Sequence, residues 1–428
     1  AGGCGVNALT HMVLRVACEV NMIDPKINLR VDRDTDLSLL ELAASLTRRG
    51  LGFPQYSNDD AVIPGLVRHG YGLEDARDYT VAACWEYCIP GKGMDVVNIG
   101  AVSLPAAVQA GVEKTLGRGD SFERLLDEIK CDIHAQVQSR VAAYRGLILP
   151  PAPWYSVLMS DCLERGRDLS TGATYNNFGL HAACSADAAD ALAAVKRFVY
   201  DERAVDPLQL LAALAHDWCG FEALRETMAS GPRVGDNDAA ADTLLTFLFD
   251  AVADACELIE DNGRGGCVRP GTGSAMYYVW LARGHEGMAE PVVGATAEGR
   301  YAGDFFSSSL AASPGTRGRG PLSLLQSFSK VDYLRLCNGG PITMELSDTA
   351  FQSPDSIRKV ALLVRSFARL GCQQLQLNTL DVALLKEAKA HPERHRNVIV
   401  RVWGWSGYFC ELAPEYQDHV IGRHMHGL

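Results

Sequence analysis

Arg401-Val402-Trp403-Gly404-Trp405-Ser406 sets a glycine between two tryptophans near the carboxyl end of the chain. The glycine α carbon carries no side chain, so loss of a hydrogen there leaves a planar radical shared with the two flanking amides. A lone glycine more often supplies a positive φ or a close backbone approach in a turn. The decision rests on a second site far upstream, Ala83-Cys84-Trp85-Glu86-Tyr87-Cys88-Ile89-Pro90-Gly91-Lys92-Gly93. There a thiol stands two residues from a carboxylic acid, after the short run Thr80 to Ala83 and before a Pro/Gly-rich loop. Residues i and i+2 on extended backbone point to one side, so Cys84 and Glu86 are expected to face one cavity. Taken singly, each has a plainer reading, the thiol as a small buried hydrophobe and the glutamate as a solvated surface group.

Together the two sites resemble the glycyl radical enzymes, the superfamily that includes pyruvate formate-lyase, the diol and choline lyases and the arylacetate decarboxylases. The similarity continues in order along the chain: Leu51 to Asp59, Leu73 to Tyr79, Tyr175-Asn176-Asn177-Phe178-Gly179, Gly299-Arg300-Tyr301-Ala302-Gly303, Ser313-Pro314-Gly315, Ser329 to Asp332 and Gln373 to Asn378. The resemblance implies a ten-stranded α/β barrel made of two half-barrels, with one loop carrying the thiol and another the glycine inside it. It implies a radical stored at Gly404 and borrowed by Cys84, whose thiyl form takes hydrogen from a small-molecule substrate. Glu86 is the expected proton-transfer partner, because a carboxyl group in a dry cavity is pushed toward neutrality and serves as acid or base. Asp95, further along the same loop, is the expected substrate-binding acid, with a helix N-cap as its plainer role. No bound cofactor or metal is expected. The radical would be installed by a separate iron-sulfur activase that uses S-adenosylmethionine.

Family chains are usually much longer, and the part matched is the carboxyl-terminal half. The fold expected is therefore half of the barrel, with residues 1–295 forming the pyruvate formate-lyase-like part around the cysteine loop and 296–428 the glycyl radical part. Half of a closed sheet leaves unpaired edges and apolar surface. The chain is expected to be either a fragment or one subunit of a split enzyme, and a partner polypeptide supplying the amino-terminal half is expected, in an oligomer. The Ala1-Gly2-Gly3 start falls where a family member is in mid-chain.

Composition sets outer limits. The 428 residues are 47% hydrophobic, enough for a large core, and the net charge of −12 is spread without a basic run. Nucleic acid is not an expected partner. Apolar stretches are broken by charge, as Asp250, Asp254 and Glu257 break Leu244 to Ile259, so no membrane span is expected and the compartment expected is the cytoplasm. Thirteen scattered cysteines point to reduced thiols, and Cys84-x3-Cys88 falls short of a zinc site. His419, His424 and His426 read as part of a polar helical tail.

Local signals alternate between helix and strand. Leu37 to Arg49 is helical and ends at Gly50. Asp120 with Glu123 opens a long helix over about Ser121 to Arg145, and Ser353-Pro354 starts another that ends at Gly371. Gln373 to Asn378 and Asn397 to Val402 read as strands, and a tail helix is expected over Pro414 to His424. Helix followed by strand favours an α/β barrel with parallel strands. The Gly/Ser/Pro-rich stretches Gly263 to Gly273 and Ser307 to Gly320 read as long loops within the fold.

Cys-x-Glu in place of two adjacent cysteines disfavours acyl transfer, so the activity expected is elimination (dehydration or cleavage of a C–N, C–S or C–O bond) or decarboxylation. The alternatives are radical addition of a hydrocarbon to fumarate and a non-catalytic radical-repair or assembly subunit. Ala83, Trp85 and Trp405 depart from the residues usual in the resembled family, which leaves the substrate open.

Overall fold

Polar and apolar residues alternate along Gln374 to Leu380, and the strand they form is central to the architecture. The computed structural model describes residues 5–272, 276–316, 318–353, 355–423 and 425–426. Ala1 to Gly3, Gly273, Pro354, His424 and the side chain of His426, on which expectations above touched, lie outside the described residues. In chain order the strands are β1 (Asn28–Val31), β2 (Gln55–Asn58), β3 (Thr80–Ala82), β4 (Glu86–Cys88), β5 (Ala101–Ser103), β6 (Phe178–Ala183), β7 (Val268–Gly271), β8 (Pro341–Ser347), β9 (Gln374–Leu380), β10 (Ile399–Trp403), β11 (Trp405–Tyr408) and β12 (Met425–His426).

The chain is of the α/β class. Five strands form a sheet in the order β1-β2-β9-β8-β12, and a second sheet has the order β5-β6-β7. The second sheet is wholly parallel. In the first, β2 and β9 run antiparallel where parallel strands were expected, and the other neighbours are parallel. The cause is modular. β1 and β2 are joined through the helix Leu37–Thr47, and β8 and β9 through the helix Ser356–Arg369. Parallel neighbours require such a crossover, and the two units meet edge to edge in opposite directions, their helices packed on each other.

Leu375 and Leu377 of β9 enter the core with Ile342, Met344 and Leu346 of β8, beneath Leu39, Leu40, Val360, Val364 and Phe367 of the two helices. Full burial stabilises each such side chain by about 2 kcal/mol. The opposite face of β9 carries Gln374, Gln376 and Asn378, all buried. The second sheet is flanked by Leu104–Leu116, Phe122–Arg145, Ser185–Val195 and Ala239–Glu257. Ser185–Val195 is buried along its whole length. Its two acids are met by donors: Asp187 Oδ2 accepts from Ser307 N at 2.9 Å, and Asp190 accepts from Val234 N at 2.7 Å and Ser313 Oγ at 2.5 Å.

Several local expectations shift by a residue or more. The helix Phe122–Arg145 is capped by Ser121, whose hydroxyl accepts from Arg124 N, so the cap falls one residue after Asp120. The helix expected from Ser353 begins at Ser356. The tail helix is Pro414–Gly422, and His419 on it is buried, its ring tilted by 34° against that of Tyr278 with centroids 4.2 Å apart. Burial holds that imidazole well below its ordinary range, the opposite of a solvated polar tail. No helix among the described residues is long and apolar enough to cross a membrane.

Gly179 fixes the approach of β6 to the segment before β5. A Cβ there would collide with Val97 O and the Asn338 amide. Gly179→Ala is expected to destabilise the fold by about 2 kcal/mol, read as a lower urea midpoint; an unchanged midpoint would show that this contact yields.

Candidate active site

β3 and β4 pair as a short antiparallel hairpin, Thr80↔Cys88, Val81↔Tyr87 and Ala82↔Glu86, with Ala83, Cys84 and Trp85 at its tip. Ala83 sits in the left-handed region at φ +47°, a conformation that costs a residue with a Cβ about 1 kcal/mol. Cys84 and Glu86 are thus not successive positions on one extended strand, as the spacing suggested. The turn itself brings them together. Glu86 Oε2 accepts from Cys84 N at 3.0 Å and from Trp85 N at 2.9 Å, which satisfies the tip amides with a fully buried carboxyl group. From outside the hairpin, Lys26 Nζ donates to Ala83 O at 2.7 Å and Cys84 O at 3.2 Å. Burial pulls this ammonium below its ordinary range and Arg401 pushes the same way, against Cys84, Glu86 and Asp24.

The strand expected at Asn397 to Val402 begins at Ile399 and belongs to a second antiparallel hairpin rather than to a parallel sheet. Trp403 pairs with Trp405, so Gly404 is the tip. Arg401 is buried and ties the hairpin down: Nε donates to Gln376 Oε1 at 3.1 Å and Nη1 to Ser406 Oγ at 3.0 Å, while Ser406 Oγ donates to Leu51 O at 2.8 Å. Burial lowers the Arg401 guanidinium from its ordinary range, although a guanidinium keeps its charge in proteins. Gly52 makes room for it, at φ +71°, since a Cβ there would fall 2.6 Å from the Arg401 stem. Arg423 closes the other side, donating to Arg401 O at 2.8 Å, to Val402 O and to Glu345 Oε1 at 3.0 Å.

The two tips meet. A methyl group on Gly404 would lie 2.5 Å from Cys84 Sγ and 2.6 Å from its Cα. Adding one C–C bond puts the Gly404 α carbon within about 4 Å of the sulfur. The hydrogen that an L side chain would replace is the one aimed at Cys84. Cys84, Glu86 and Gly404, singled out in the sequence, therefore share one interior.

Asp95 is held elsewhere. Its Oδ1 accepts from Asn177 N at 2.7 Å, and its Oδ2 from Tyr71 OH at 2.6 Å and Arg269 Nη2 at 3.2 Å. Arg269 also donates to Tyr87 O at 3.1 Å, so this buried pair braces the back of β4. No helix starts at Asp95 for it to cap.

Two residues not singled out in the sequence complete the site. One is Lys26. The other is His181 on β6, buried with Nε2 3.4 Å from Glu86 Oε1. A single histidine within Leu180-His181-Ala182-Ala183 reads as core; the signal available was period two, which puts it on the face of Gly179, where backbone crowds close. No group of three or more His, Cys, Asp or Glu side chains is placed to hold a metal ion among the described residues.

With this geometry stand the similarities to known proteins. A sequence profile for the pyruvate formate lyase-like family matches residues 1–121 and 135–282, and one for the glycine radical domain matches 306–410. The chain belongs to this family, within the glycyl radical enzyme superfamily. It is 26% identical to trans-4-hydroxy-L-proline dehydratase of Clostridioides difficile over 99% of this chain and 55% of the relative. It is 28% identical to (2S)-3-sulfopropanediol dehydratase of Klebsiella oxytoca over 99% of this chain and 53% of that relative. The glycerol-bound B12-independent glycerol dehydratase of Clostridium butyricum matches with a TM-score of 0.91 at 27% identity, over 99% of this chain and 55% of that one. The chain spans about half the length of these relatives.

Beyond Arg423, a cavity of about 440 Å³ is lined by Arg225, Arg233, Glu298, Arg300 and Glu345. Burial pushes the Glu298 carboxyl up to about 7, with Asp187 adding to it. Between the ordinary glutamate value and that point the folded chain holds a proton the unfolded chain has lost, so stability falls as pH rises. Glu298→Gln is expected to remove a slope of about 2–3 kcal/mol between about pH 5 and about pH 7, measured by urea unfolding at both ends; an unaltered slope would assign it to other groups.

Proposed function

We propose that this chain is the thiol- and glycine-bearing part of a glycyl radical lyase that eliminates a group from a small polar molecule, dehydration being the favoured case. The observation that carries the reading is the contact between the Gly404 α carbon and Cys84, with the Glu86 carboxyl bound to the same tip. Gly404 stores the radical, and a separate S-adenosylmethionine-dependent activase installs it. Cys84 gives its hydrogen atom to the glycyl radical, and the resulting thiyl takes one from a substrate C–H bond. With the neighbouring bond weakened, Glu86 passes its proton to the departing oxygen, water leaves, and the Glu86 carboxylate takes back the proton that the remaining substrate radical sheds. The product radical then recovers a hydrogen atom from Cys84. A substrate-binding role for Asp95 requires one of its oxygens to exchange a present partner for substrate, so its support for Tyr87 is the nearer function.

The dehydratases among the relatives favour elimination over addition to fumarate, and the thiol loop beside the glycine loop favours catalysis over a repair subunit. Their extra length supports a second polypeptide segment that supplies further cavity residues.

After anaerobic activation, electron paramagnetic resonance is expected to show a glycine-centred doublet that is absent in Gly404→Ala. Cys84→Ala should keep the doublet and lose turnover; persistent turnover would remove Cys84 from the reaction. Glu86→Gln should lower kcat about 100-fold with little change in KM, and an unchanged kcat would reduce that residue to a structural role. Native mass spectrometry of the purified protein should show a companion polypeptide.

A further inference from the structure

Glu86 and His181 are both buried, and their closest approach runs from Oε1 to Nε2. A second acceptor, Val97 O, lies 3.2 Å from the same ring nitrogen. A carbonyl oxygen can only accept, so the contact with Val97 O assigns the hydrogen to Nε2. Asn338 Nδ2, 3.5 Å away, is directed instead to Val97 O at 2.8 Å. On the far side of the ring, Nδ1 is buried with no hydrogen-bond partner among the described residues.

We propose that His181 is a positioning residue for the Glu86 carboxyl group: its Nε2 hydrogen, now donated to Val97 O, turns to Glu86 Oε1 whenever that oxygen carries charge. The inference rests on the acid–base reading of Glu86 above. Glu86 Oε2 is committed to the Cys84 and Trp85 amides, so the charge left when Glu86 gives up its proton is met at Oε1 by the imidazole. A donor that meets the charged form favours that form. His181 thereby sets the pH at which Glu86 can act, whichever way its proton moves. Among the described residues, charged or titratable groups near the pair include Cys84 on the same tip, Lys26 on the tip carbonyls, Arg401 from β10, and the Arg269–Asp95 pair behind Tyr87. None of these is altered by the substitutions at His181 themselves.

The test is infrared titration of the full chain, purified with any polypeptide that accompanies it and labelled with 13C-glutamate, the Glu86 band being assigned by its loss in Glu86→Gln. His181→Leu is expected to move the titration of that band to higher pH by about one unit. His181→Asn, whose shorter amide stops short of Oε1, should give the same shift if the leucine variant folds poorly. His181→Gln, which keeps a donor near the Nε2 position, should return the band toward the wild-type pH, and the glycine-centred doublet should persist in all three. A band that titrates at the wild-type pH in both His181→Leu and His181→Asn overturns the proposal. Because the band is read without turnover, the proposal is judged separately from the acid–base reading, which falls if Glu86→Gln retains full activity.

Discussion

Two glutamines two residues apart on β9 hold the two halves of the site in register. Gln374 Nε2 donates to Trp85 O of the thiol hairpin at 2.8 Å, and Gln376 Oε1 accepts from Arg401 of the glycine hairpin at 3.1 Å. On one face of a strand such positions are about 7 Å apart. Each hairpin is a two-stranded ribbon, which has little stability alone in water, so its tip is placed by what grips it from outside. One rigid strand gripping both makes the separation of thiol and glycine a property of strand geometry.

The strand can serve this way because its other face is anchored. Leu375 and Leu377 lie in the main core under two packed helices, and shifting the register by one residue would send the glutamines into hydrocarbon and the leucines into the site. The remaining ties add to the grip and do not replace it: Lys26 on the thiol tip, and Ser406 and Arg423 on the glycine strand. The tips can then touch because glycine presents only hydrogen where any side chain would strike Cys84.

The charges near the tips are arranged with their counterparts in backbone. Lys26 and Arg423 spend donors on carbonyl oxygens, and Glu86 accepts from amides. Groups met in this way keep hydrogen bonds although they are buried. The same holds away from the tips: Arg300 donates to four carbonyls of its own loop, and Ser313 donates to Asp190 on a wholly buried helix.

The sequence by itself determined the family and the α/β class, and it marked Cys84, Glu86 and Gly404 as candidates through their combination and the ordered run of family-like segments, since each residue taken singly has a plainer reading. It also gave a few of the helices, among them Leu37–Thr47, Phe122–Arg145 and Ser356–Arg369, whose caps and periods are local. Tertiary structure alone decided that Cys84 lies at a hairpin tip, that β10 turns back on β11, that Asp95 braces Arg269, and that His181 and Lys26 belong to the site. The two hairpins are local but are held by distant segments, and the placements of Asp95, His181 and Lys26 follow from contacts tens to hundreds of residues apart; a single histidine in an apolar strand or a lysine after a proline carries no local mark of the partner that folding brings to it.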